Sequence, residues 1–171
     1  MKVDMGGAAC VISAINAVAK SNLPVYVIGL IPATDNRPSG NAYAPGDVVE
    51  MYDGTNVEVL NTDAEGRMIL ADALSYAKKY NPELVIDMAT LTGSAARAIG
   101  HFGIVSMHNK AEKQHQKLKE AGLEVYERLA EMPFWDEYDE LMKSDIADIR
   151  NIENADFSGA ITAGKFLVHF T

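Results

Sequence analysis

The sequence predicts an α/β fold, a three-layer α/β/α sandwich around a mixed, largely parallel sheet. Three observations lead there. Segments of helical and strand periodicity alternate along the chain, as they do where crossover helices link strands. The run Val25-Tyr-Val-Ile-Gly-Leu-Ile31 is almost continuously apolar, the character of a central strand covered on both faces. No internal repeat and no interdomain linker divides the 171 residues, so one domain is expected.

The elements follow in chain order. Ala9, Ile12, Ala17 and Val18 are among the apolar positions of a helix from about Gly7 to Lys20, with Asp4 and Gly6-Gly7 at its start. Ser21 to Pro24 is punctuation before the strand at 25–31. Pro32 to Asp47 is dense in Pro, Gly, Asn and Ser, and a loop of that length inside a compact domain is often functional. Val48 to Leu60 reads as a hairpin turned at Asp53-Gly54, residue types that accept positive φ. After Asn61–Arg67, the spacing of Leu70, Leu74 and Ala77 predicts a helix from Met68 to Tyr80, ended by Asn81-Pro82. Leu84–Met88 is a further strand, Thr90–Ser94 opens a small-residue segment reaching Gly103, and Ile104-Val105 is a short strand. A charged helix is expected from about Lys110 to Glu131, weakest at Gly122. A helix over Phe134–Lys143, a strand at Ile146–Ile149 and a helix over Gly159–Phe170 complete the chain.

Composition narrows the function. Fifteen basic against 24 acidic side chains give a net charge of −9 and a pI near 4.8, which argues against a general binder of phosphate backbones. Apolar residues at 48% and charged residues at 23% are globular usage and argue against a disordered chain. The single cysteine, Cys10, lies in the apolar run Ala8–Ile12 and is expected to be a buried thiol in a reducing compartment. No apolar run approaches the roughly 20 residues that span a bilayer. The N-terminus lacks a signal peptide's order of regions, so a soluble, intracellular protein is expected.

Three polar segments carry candidate chemistry: Asp4–Gly7, Asn61–Arg67 and Thr90–Ser94. The first opens a helix and the others follow predicted strands, so all three are expected on the rim where open α/β sheets bind ligands. Asp63 and Glu65 project to one side of an extended backbone, and carboxylates held that close repel unless a cation intervenes. Hard oxygen donors suit Mg, Mn or Zn. Arg67 offers a fixed positive fork to an anion beside a helix N-terminus. Thr62-Asp-Ala-Glu65 also fits a capping box, which on pattern alone outweighs metal binding, and Asp4 equally suits a helix dipole.

Other candidates are weaker. His101, His108, His115 and His169 lack HExxH spacing; His108 and His115, seven apart on a solvent-like helix, read as surface or satisfied histidines. Gly93, Gly100 and Gly103 form no GxGxxG, and no GxSxG occurs. Asp136–Glu140 reads as a solvated helix face beside Phe134 and Trp135, which are expected against the core or another subunit.

At Asn61-Thr-Asp-Ala-Glu-Gly-Arg67 the sequence resembles the signature of the leucyl (cytosol) aminopeptidase family. Met1-Lys-Val-Asp-Met-Gly-Gly-Ala-Ala9 and Ala89-Thr-Leu-Thr-Gly93 are similar to two further motifs of that family, in the expected order. Pro38–Gly40 and Pro45–Asp47 resemble its intervening loop. The resemblance runs through essentially the whole chain and reverses the balance at the heptapeptide in favour of metal. It implies a cytoplasmic, hexameric two-metal exopeptidase that removes leucine-like N-terminal residues from peptides, using Zn or Mn, with Mg as a third option. By resemblance, Asp4, Asp63 and Glu65 would be metal ligands, Glu65 bridging both ions. Gly66 and Arg67 would hold the bicarbonate that serves as general base. Met1, Asp4, Thr90, Leu91 and Gly93 would contact the substrate, Met1 lining the pocket for its first side chain.

The family pattern places a metal-binding lysine, a bridging aspartate and a catalytic lysine shortly before the segment matching Met1, and a further domain ahead of the catalytic one. The chain therefore reads as part of a C-terminal catalytic domain, expected to be inactive alone. The alternative is a non-catalytic oligomerisation or scaffold piece of the hexamer, with apolar segments that lack cover. No membrane partner is expected. Nucleic-acid binding, known for some members, is disfavoured by the acidic balance.

Overall fold

A computed structural model describes residues 2–171. Helix α1 (Gly6–Lys20) comes first, followed by strands β1 (Val48–Glu50) and β2 (Asn56–Glu58) and helices α2 (Glu65–Ala77) and α3 (Gly93–Ile99). Strand β3 (Ile104–Ser106), helix α4 (Glu112–Glu124), strands β4 (Leu129–Glu131) and β5 (Ile149–Arg150), and helix α5 (Gly159–Val168) complete the order. The fold is α/β with mixed pairing. β1 and β2 are antiparallel, with Val49 opposite Val57, and β2 runs parallel to β5, with Val57 opposite Ile149. β3 and β4 form a separate parallel pair joined through α4, as a parallel pair requires a crossover.

The core lies where α2 and α5 cover the β1-β2-β5 sheet. Val57, Val59, Phe166 and Phe170 are completely buried there, among Met68, Leu74 and Ile149. The Phe166 and Phe170 rings stand 5.2 Å apart on successive turns of chain at the end of α5. The predicted hairpin forms, with Met51 N–H donating to the Thr55 carbonyl at 2.8 Å. Only Gly54 takes positive φ, at 91°; Asp53 instead uses its carboxylate to accept from the Thr55 amide at 3.0 Å.

Several expectations are corrected. Val25–Ile31 and Leu84–Met88 pair with no strand among the described residues, and Tyr26 is 88% exposed. Their apolar runs report a preference for burial, but a ladder needs a neighbouring backbone, which no described residue supplies. Both segments contact α1 instead. A Cβ on Gly29 would lie 3.1 Å from Val11, and one on Gly7 would lie 1.9 Å from the Met88 carbonyl oxygen, so only glycine lets α1 start there. Cys10 is exposed, because the α1 surface that carries it is left uncovered.

The charged helix stops at Glu124, and a left-handed Tyr126 (φ 65°) turns the chain into β4. Gly122 does not break that helix; the Glu127 amide donates to its carbonyl at 2.7 Å and closes the turn. The segment after Trp135 is a 3₁₀ helix over Asp136–Met142. Its acidic face is not simply solvated, because the buried Lys165 ammonium lies 3.5 Å from Asp136 and 3.3 Å from Asp139. Lys165 also stands over the Phe134 ring, while Trp135 is exposed and stacks on Tyr138. Strand β5 is confined to Ile149–Arg150 at the end of the run expected from Ile146. Among the described residues, no helix is long and apolar enough to cross a membrane.

Candidate active site

The heptapeptide Asn61–Arg67 sits between the end of β2 and the first turn of α2, and a buried asparagine holds it there. Asn151, completely buried just after β5, accepts from the Leu60 amide at 2.8 Å and the Asn61 amide at 3.3 Å through one oxygen. Its side-chain amide donates to the Asn61 carbonyl at 2.7 Å. The Asn151 backbone donates to Glu58 at 2.8 Å and accepts from Arg67 Nη1 at 2.8 Å. Nothing in the local pattern around Asn151 marks this role, since all these partners lie more than 80 residues away.

Thr62 does not form the capping box. Asn61 caps the turn instead, its side chain accepting from the Asp63 amide at 2.9 Å, and a 3₁₀ turn over Thr62–Ala64 leads into α2. Helix α2 has no side-chain cap, and Glu65 Oε2 is buried without a hydrogen-bond partner. Asp4 likewise does not cap α1, whose N-terminus has no side-chain cap; its Oδ1 accepts from the Thr90 hydroxyl at 2.8 Å.

That last bond joins the first and third polar segments across 86 residues. The second meets the third at Gly66, where a Cβ would stand 3.6 Å from Leu91 Cδ1. Leu91 packs against the core, and Thr92 caps α3 by accepting from the Ser94 amide at 3.1 Å, so Gly93 begins that helix. The long loop folds back over the same place. Asn36 donates to the Thr62 carbonyl at 3.0 Å. Burial, and then the negative charge of Glu65, push the Tyr43 hydroxyl above its ordinary pKa. Tyr43 and Asn36 are site neighbours that the sequence signalled only through the length of their loop.

Arg67 is 5% exposed and partly committed. Besides its bond to Asn151, Nη1 lies 3.9 Å from Glu153, while Nε is buried and unpartnered. Burial lowers its pKa and the charge of Glu153 opposes that shift. Nη1 is therefore committed, and Nε is a buried donor open to an anion. Met1 lies outside the described residues.

Asp4, Asp63 and Glu65 do not bring one oxygen each to within 4.8 Å of one another; among the described residues, His108, His115 and Glu131 do. The three acids are therefore spread more widely than donors clustered on a single ion. The unpartnered oxygen of Glu65 is an acceptor that a cation would satisfy, and three carboxylates are a donor set that divalent cations prefer. The histidine cluster was hidden because Glu131 comes from β4, beyond any local spacing.

Fold and site together define an α/β protein in which Asp4 meets Thr90 and Gly66 meets Leu91, so that the three polar segments adjoin. The chain belongs to the cytosol aminopeptidase family, whose catalytic-domain pattern matches residues 1–171. A probable cytosol aminopeptidase of Chlorobium limicola is 53% identical over 171 residues, covering 99% of this chain and 34% of that protein. The solved cytosol aminopeptidase of Coxiella burnetii is 40% identical with a TM-score of 0.91, covering 100% of this chain and 37% of that one. The bottromycin maturation enzyme BotP is 36% identical with a TM-score of 0.94, covering 100% and 38%, and has also been solved in complex with Mn. The chain thus spans about a third of the length of the curated relatives it matches.

Proposed function

We propose that this chain supplies the acidic side of a two-metal aminopeptidase site that removes leucine-like N-terminal residues from peptides. The observation that carries the reading is Glu65 Oε2, buried and unpartnered on a rim where Asp4, Gly66, Thr90 and Leu91 meet. Asp4, Asp63 and Glu65 would hold the ions, Zn or Mn with Mg as a third option; the manganese complex of a relative supports that range. Divalent cations there would polarise a scissile carbonyl and lower the pKa of a bound water. Thr90 orients the Asp4 carboxylate through its hydroxyl. Leu91 and Gly93, at the entrance to α3, would contact substrate, with Met1 proposed for the first side-chain pocket. Arg67 would hold bicarbonate as general base through its unpartnered Nε, beside Gly66.

The chain would then be part of the C-terminal catalytic domain of a cytoplasmic hexamer, and by itself a weak metal binder of low activity. The test is a leucyl chromogenic substrate with added Mn²⁺ or Zn²⁺. Turnover by the isolated chain is expected well below about 1 s⁻¹, the low end for ordinary enzymes. Elemental analysis should show bound metal that Asp63→Ala or Glu65→Ala removes; metal content unchanged by both substitutions would sink the reading. The exposed Tyr26 and Ile86 favour a second reading, a non-catalytic assembly piece of the hexamer. A metal-free, inactive oligomer by light scattering would select it.

A further inference from the structure

We propose that His108, His115 and Glu131 form a second metal site, separate from the acidic rim, that takes a borderline divalent cation such as Zn²⁺. Three elements build it. His108 lies in the loop after β3, His115 in the first turns of α4 and Glu131 at the end of β4, whose partner residue across the ladder is Ser106. One ligand atom from each residue lies within 4.8 Å of the other two. His108 Nε2 is 3.3 Å from Glu131 Oε1, and His115 Nδ1 is 3.8 Å from Oε2. Ligand atoms of tetrahedral zinc stand about 3.3 Å apart when the bonds are near 2.0–2.1 Å, so only a small contraction closes the site.

The surroundings suit ligation. His115 is buried, and its Nε2 lies 3.0 Å from the Ser106 hydroxyl. With Nε2–H donating there, the Nδ1 lone pair faces Glu131, the arrangement by which an outer hydrogen bond orients a metal-binding imidazole. Burial holds the His115 pKa below its ordinary value, which keeps the ring in the neutral form that ligates. His108 Nδ1 is buried without a partner, so no hydrogen bond competes with Nε2 facing Glu131 at the centre. The Lys119 ammonium, 2.7 Å from Glu131 Oε2, is the competitor already drawn to this position. Two histidines and a carboxylate leave a fourth position for water, a donor set that zinc accepts.

The test is a Zn²⁺ titration of the chain followed by proton–nitrogen correlation spectra of its four imidazoles. His108 and His115 should shift together and saturate at one equivalent, while His101 and His169 stay unmoved. Glu131→Gln, at a partly exposed position that spares the fold, should weaken binding by about tenfold or more. Lys119→Met should tighten it by a similar factor, because a competing positive charge is removed. The shifts should persist in Asp63→Ala, which separates this site from the acidic rim. Absence of the paired shift at excess Zn²⁺, indifference to both Glu131→Gln and Lys119→Met, or loss of the shift in Asp63→Ala overturns the proposal.

Discussion

The Asn151 side chain holds Leu60 and Asn61 at the start of the heptapeptide, while its backbone binds Glu58 at the end of β2 and Arg67. Asn151→Ala would leave the Leu60 amide and the Asn61 carbonyl without this partner at a part-buried position. Unsatisfied buried groups cost about 1–3 kcal/mol each and partly solvated ones less, so a total loss of about 1–3 kcal/mol is expected, read as a lower urea midpoint. Glu65 offers a second check. Its charge helps raise the Tyr43 pKa, so Glu65→Gln should bring that hydroxyl back toward its ordinary value in an ultraviolet pH titration, with the contribution of burial remaining. Asp63, Glu65 and Arg67 could be singled out from the sequence because their spacing is local. Tyr43 and Asn151 could not, because their importance comes from partners distant in the chain.

The elements divide along the same line. Helices α1, α2 and α5 and the β1–β2 hairpin follow apolar periodicity and a turn glycine, which are local signals. The charged helix stops short of Glu131, because the bond of Glu127 to Gly122 turns the chain into β4, against which α4 packs. Gly7→Ala tests the seat of α1. A methyl there overlaps the Met88 carbonyl, and such overpacking costs about 1–3 kcal/mol, measurable as a lower Tm. The hairpin predicts an acid response. Burial raises the Asp53 pKa, but the Thr55 amide and hydroxyl, the Ser75 hydroxyl and the Lys78 charge outweigh it and leave the carboxyl below its ordinary value. Its contribution to stability is therefore full above the unfolded pKa of about 3.9 and is lost as pH falls through the lower folded value. Asp53→Asn should flatten the acid limb of the stability curve in that window.

At the scale of the whole molecule, two apolar segments without ladder partners set the behaviour in solution. Val25, Val27, Val85 and Ile86 are each more than 40% exposed beside unpaired backbone, a combination that promotes edge-to-edge association. The chain is expected to show concentration-dependent mass in light scattering and to bind a hydrophobic dye. Paired charges at Val27 and Val85 should reduce both signals while leaving the Phe166 core intact. A monomer that binds no dye would mean these segments find cover within the chain in solution.

Apolar periodicity determined which segments would be helical and which would prefer burial, and the resemblance of Asn61–Arg67 to a family signature, more than its spacing, marked the candidate site. Both are short-range properties that a few consecutive residues carry. The tertiary structure alone decided that Asp4 meets Thr90, that Asn151 anchors Arg67, and that two histidines read as unremarkable meet a glutamate from another strand. It also decided that the most strand-like runs remain unpaired among the described residues. The physical reason is common to all of these: hydrogen bonds and ladders need a specific second partner, and the chain's path through space selects that partner.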